Sequence, residues 1–152
     1  MDWRSVLVLA HVLAAFWFVA GYVGTNLCTE MARRSTTDDD CRSAIVVSGR
    51  LDRWANRTGG MLVAITGLLV LALYGPGLTT PWIFISIVLF AAVIFGGIFF
   101  WERFGDDVES ALAAGDWAGV RTAVNQPRII AYGRLENLAV LVIIVLMVVQ
   151  PG

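Results

Sequence analysis

Apolar positions gather into four long runs, at about 6–27, 58–74, 82–101 and 129–149. A helix needs about 20 mostly apolar residues to cross the hydrocarbon core of a bilayer, with roughly 17 as the lower limit. Each run therefore predicts a transmembrane helix, the second being the shortest. The fold class that follows is all-α, a four-helix transmembrane bundle built as a single integral membrane domain over residues 1–152.

The polar positions between the runs orient these helices. Tyr74-Gly75-Pro76-Gly77 ends the second run and Thr80-Pro81 opens the third, which predicts a tight hairpin. The stretch 29–57 carries Arg33, Arg34, Arg42, Arg50, Arg53 and Arg57, and the stretch 102–128 carries Arg103, Arg121 and Arg128. On the other side stands only Arg4. Basic residues collect in cytoplasmic loops, so both long stretches are expected in the cytoplasm and both termini outside (N-out/C-out). Trp3 and Trp82 then mark the outer interface, and Trp54 and Trp101 the inner one.

Each polar stretch has its own pattern. In 43–56, Ile45, Val46, Leu51 and Trp54 alternate with arginines, as in a cytoplasmic extension of the second helix. Residues 107–124 read as a cytoplasmic amphipathic helix between helices three and four, broken near Gly115-Asp116. Its Val108, Leu112, Trp117, Val120 and Val124 are suited to the membrane surface. Residues 35–40, Ser-Thr-Thr-Asp-Asp-Asp, read as a mobile turn.

Composition agrees and removes several functions. The chain is 58% hydrophobic and 15% charged, where soluble domains carry about a quarter charged residues. A net charge of −1 gives no basic bias toward nucleic acid. All 11 basic residues are arginine, so no lysine is available for Schiff-base chemistry. Cys28, Cys41 and His11 form no zinc-binding pattern, and no metal site of protein ligands is expected. A cytoplasmic loop would keep both cysteines reduced. The first run is too long for a signal-peptide core and is expected to be a retained helix.

Polar residues inside a membrane are costly and so are candidates for function. His11 lies about five residues inside the first helix, roughly 7–8 Å below the outer interface. It shares a helical face with Ala14, Ala15, Phe18 and Tyr22. Small residues beside an imidazole leave room for a planar ligand such as haem. The plainer reading is a histidine hydrogen-bonded to a neighbouring helix. A second set, Arg134, Glu136 and Asn137, opens the fourth helix. Arg134 and Glu136 are two apart and point to different faces, so each needs a partner elsewhere. Arg50, Arg53 and Arg57 offer one for Glu136, and Glu102 one for Arg134. That set is read as an ion-pair network at the inner interface, or more sharply as a proton or anion path. His11 lies roughly 10–15 Å from it along the normal. Gly21, Gly24, Gly59, Gly60, Gly67, Gly96 and Gly97 permit close helix packing.

The order Leu9-Ala10-His11-Val12-Leu13, then Phe16-Trp17 and Gly21, with Thr66-Gly67-Leu68 later and Met147-Val148-Val149-Gln150-Pro151 at the end, resembles a bacterial family. It is that of predicted integral membrane proteins of unknown function, domain of unknown function 2269. The similarity spans nearly the whole chain. In layout the family is distantly similar to copper-resistance D and protoporphyrinogen-oxidase-like four-helix membrane proteins. In the latter a first-helix histidine is implicated in haem binding, and His11 matches that position. The basic second ligand of that group has no lysine counterpart here. The resemblance implies a multi-pass protein of the bacterial inner membrane.

Three functions follow as expectations. The leading one is a non-enzymatic structural or accessory role, in a homo-oligomer or a larger membrane complex surrounded by lipid. The second is a haem-binding redox protein using His11. The third is a small transporter or proton path using Glu136 and Arg134. No catalytic residue is assigned.

Overall fold

The computed structural model describes residues 2–75, 77 and 80–151, and among these all regular structure is helical. Four helices are long and apolar enough to cross a membrane. They are α1 (Trp3–Arg34), α2 (Asp38–Tyr74), α3 (Pro81–Ala113) and α5 (Pro127–Val149). A short α4 (Trp117–Val124) precedes α5. All four predicted spans are present, and each helix is longer than its apolar run.

The extra length has local causes. Asp2 caps α1 by accepting the Ser5 backbone N–H at 2.9 Å. At its other end, Glu30 receives Arg33 at 3.2 Å and Arg34 at 2.7 Å. Thr37 caps α2 by accepting the Asp40 N–H at 3.2 Å. Asp38, Asp39 and Asp40 then occupy the first turn, where carboxylates favour the positive end of the helix dipole. These three aspartates are thus helical, and the turn expected over 35–40 shrinks to residues 35–37. The predicted extension of the second helix is continuous with its span. At 37 residues α2 is far longer than a hydrocarbon core requires. Likewise α3 runs on past Trp101, because no breaker stands before Gly115. The amphipathic stretch breaks at Gly115, whose φ of 68° suits glycine, and Asp116 caps α4 through the Gly119 N–H at 2.9 Å. The expected hairpin at residues 74–81 falls partly on positions 76, 78 and 79, which lie outside the described residues.

Both α2 and α3 contain a π-helical stretch, Asp52–Arg57 and Gly97–Trp101 respectively. Such segments shift the facing of the side chains that follow.

The chain packs as two units, Met1–Gly77 and Leu78–Gly152. In the first, α1 and α2 meet through glycines. A Cβ on Gly21 would sit 2.6 Å from the Ala55 Cβ, and one on Gly59 would sit 2.6 Å from the Phe18 Cα. One on Gly67 would sit 3.0 Å from the His11 Cε1. Lipid offers no hydrophobic drive between helices, so this close approach is what holds the pair. In the second unit, α5 buries Ile129, Gly133, Glu136 and Val140, spaced along one helical face. On α3 the buried residues are Ile83, Ser86, Val93 and Val108, and on α4 they are Val120, Ala123 and Val124. Most large apolar side chains on the spans are exposed, as lipid-facing surfaces require.

Candidate functional site

His11 is half-buried between α1 and α2. Its Nδ1 lies 3.0 Å from the Thr66 Oγ1. The Thr66 hydroxyl donates at 2.6 Å to the Leu62 carbonyl one turn back. With its one proton on that carbonyl, Thr66 would accept from His11 and Nδ1 would carry the hydrogen. In the neutral ring Nε2 is then left with its lone pair. Which nitrogen binds a ligand is set by the bond the other one makes.

A second pair six residues along α1 supports this assignment. The Trp17 Nε1 donates to the Thr58 Oγ1 at 3.2 Å, and Thr58 donates to the Trp54 carbonyl. An indole nitrogen can only donate. The same device, a back-bonded threonine on α2 receiving a ring N–H from α1, therefore occurs twice. Gly67, next to Thr66, supplies the space: the imidazole lies against it through Cε1.

The face of α1 that carries Ala14 and Phe18 was expected to leave room for a planar ligand. It is instead filled, with Ala14, Phe18 and Tyr22 buried and Phe18 seated over Gly59. Among the described residues no group of three or more His, Cys, Asp and Glu side chains could hold a bare metal ion.

The other candidates separate by exposure. Glu136 is buried at 5% exposure, and one carboxylate oxygen accepts the Trp101 Nε1–H at 2.8 Å. Trp101 stands edge-on to Tyr132, with ring centroids 6.2 Å apart, and Phe100 stacks on Tyr132 at 4.4 Å. The bare Gly96 makes room for the Tyr132 hydroxyl. Arg134 and Asn137 are exposed on other faces of α5, as their spacing requires. Glu102 is exposed on α3. On α2, Arg57 pairs with Asp52 at 2.8 Å, while Arg53 is exposed. The structure therefore joins Glu136 to Trp101, which the sequence placed in the interfacial belt. Thr66, the partner of His11, was likewise not identified as one. Its position directly before a span glycine was the available signal.

A family model described as a predicted integral membrane protein matches residues 5–151. No curated protein and no solved structure matches the chain.

Proposed function

The chain belongs to the DUF2269 family of predicted integral membrane proteins, and from that premise we propose that it is an accessory membrane protein that binds haem through His11. The observation that carries the reading is the 3.0 Å approach of Nδ1 to the back-bonded Thr66 hydroxyl, which favours the hydrogen on Nδ1 and leaves Nε2 to ligate. Ligating histidines characteristically donate their other ring N–H to a fixed acceptor. The donor set points the same way. A bare transition metal needs three or four protein ligands, and one histidine cannot hold it. A porphyrin supplies nitrogens of its own, so His11 alone would be enough to hold it.

When bound, haem would supply one-electron chemistry; Thr66 orients the ring, and Gly67 lets it sit between the helices. The absence of lysine keeps porphyrin oxidation outside the proposal. The distribution of arginines supports both termini outside and the polar stretches in the cytoplasm.

The test is an absorbance spectrum of protein purified gently from haem-replete cells, before and after dithionite. A Soret band that shifts on reduction is expected, and His11→Ala should remove it. A blank spectrum, or a band unchanged in His11→Ala, would overturn the proposal. With a blank spectrum, the Thr66 bond would be a packing contact and a purely structural role would stand in its place.

A further inference from the structure

Three arginines of the first unit are held in ion pairs. Glu30 neutralises Arg33 and Arg34, and Asp52 neutralises Arg57. Arg50 and Arg53 are exposed, and no carboxylate among the described residues sits against them. Beside them Trp54 is 72% exposed. The opposite side of the same helix is packed, with Ala44 and Ala55 buried.

Their depth is set by the chain. The unbroken apolar stretch of α2 begins at Thr58. At about 1.5 Å per residue, Arg53 lies roughly 7 Å before it and Arg50 roughly 12 Å before it. The headgroup layer on each side of a bilayer is roughly 5–8 Å deep. Arg53 therefore falls within that layer, and Arg50 starts about 4 Å beyond it, a gap that its long side chain can span back toward the headgroups. Trp54, with an apolar body and one N–H, suits the same boundary.

We propose that Arg50, Arg53 and Trp54 form a binding site for the headgroup of an anionic phospholipid. Two guanidiniums without a protein counter-ion present a local charge of two, arranged for paired hydrogen bonds to phosphate oxygens. A zwitterionic lipid carries its own ammonium beside the phosphate and cannot neutralise that charge. A phosphatidylglycerol headgroup keeps its net negative charge and can. The indole ring rests against the upper acyl region, so the site holds the boundary between headgroup and chain. It is independent of His11 and stands whether or not haem binds.

The full-length protein is purified in a mild detergent and offered equimolar phosphatidylglycerol and phosphatidylcholine. Retained lipids are counted by native mass spectrometry. Wild type is expected to enrich phosphatidylglycerol. Arg50→Gln with Arg53→Gln is expected to lower that enrichment by about five-fold for each arginine removed. Arg42→Gln removes one charge from the same helix, eight residues further from the membrane than Arg50, and should leave the enrichment unchanged, where loss of either site arginine lowers it about five-fold. Equal retention of both lipids by wild type would overturn the site. So would an unaltered preference in the double variant, or an equal loss in Arg42→Gln, which would reveal diffuse charge instead. All three positions are exposed, and far-ultraviolet circular dichroism verifies that helix content is kept.

Discussion

Two glycine substitutions should have opposite effects on stability, although both add one methyl group to a helix. In Gly59→Ala the new Cβ would lie 2.6 Å from the Phe18 Cα and 2.7 Å from the Phe18 backbone nitrogen. Ordinary van der Waals contact begins at 3.4 Å, so the clash is about 0.8 Å deep and is against backbone, which cannot rotate away. The helices must separate locally by nearly that distance. A gap of about 0.5–1 Å forfeits a quarter to a half of each dispersion contact along the seam. The same movement would stretch the Trp17–Thr58 hydrogen bond, since Thr58 is the next residue. Overpacking of this kind costs about 1–3 kcal/mol. In Gly97→Ala nothing lies within 4 Å of the new Cβ. Only the helix propensity changes there, by about 0.5–1 kcal/mol in favour of alanine. Unfolding by sodium dodecyl sulfate in mixed micelles, followed by tryptophan fluorescence and circular dichroism, measures both. The reasoning fails if Gly59→Ala is as stable as wild type, or if Gly97→Ala loses as much as Gly59→Ala does.

Two further outcomes follow from single hydrogen bonds. Trp101→Phe keeps most of the ring but removes the N–H that Glu136 accepts at 2.8 Å. A buried carboxylate that loses a donor should cost about 1–3 kcal/mol in the same assay, and Glu136→Gln, which can still accept the indole N–H, should cost less. Thr37→Ala removes the cap of α2 and should cost about 1 kcal/mol. Amide hydrogen exchange would then quicken at Asp39 and Asp40, while the middle of α2 keeps its protection.

The spans were legible because their cause is a sum over many residues. About twenty apolar side chains in a row leave a helix across lipid as the solution that satisfies the backbone. Helix ends depend on a few atoms and were less legible. The aspartates at 38–40 look like a polar turn in composition, yet Thr37 at the cap makes them the first turn of α2. The site was half legible. His11 stood out by being a rare residue in an apolar run. Its partner did not, because Thr66 is an ordinary residue in a span, and only packing shows which helix faces which. Trp101 was legible as the end of a span, but its bond to Glu136 was not, because only packing shows which side chain its indole N–H meets.

The tautomer of His11 is the point on which the proposed chemistry turns, and it can be tested without any ligand. Thr66 has one hydroxyl proton, and the Leu62 carbonyl takes it at 2.6 Å. This geometry assigns the hydrogen of the His11 bond to the ring. Selectively 15N-labelled histidine gives one site to observe, because His11 is the only histidine in the chain. In apo protein the Nδ1 resonance should show a bound proton and Nε2 an unprotonated nitrogen. This is the reverse of the tautomer that free imidazole side chains in water commonly favour. Thr66→Val keeps the β-branched shape and removes the acceptor, so it should abolish that preference and cost about 1–3 kcal/mol for the stranded N–H. Thr66→Ser keeps the oxygen and should preserve the Nδ1–H form. If wild type shows the proton on Nε2, Thr66 is the donor, Nδ1 is the acceptor, and neither nitrogen is left to bind iron. A preference unmoved by Thr66→Val would mean that another group holds the ring. If the Nδ1–H form appears in wild type and Thr66→Ser but not in Thr66→Val, the ring is set for ligation by a neighbour one helix away.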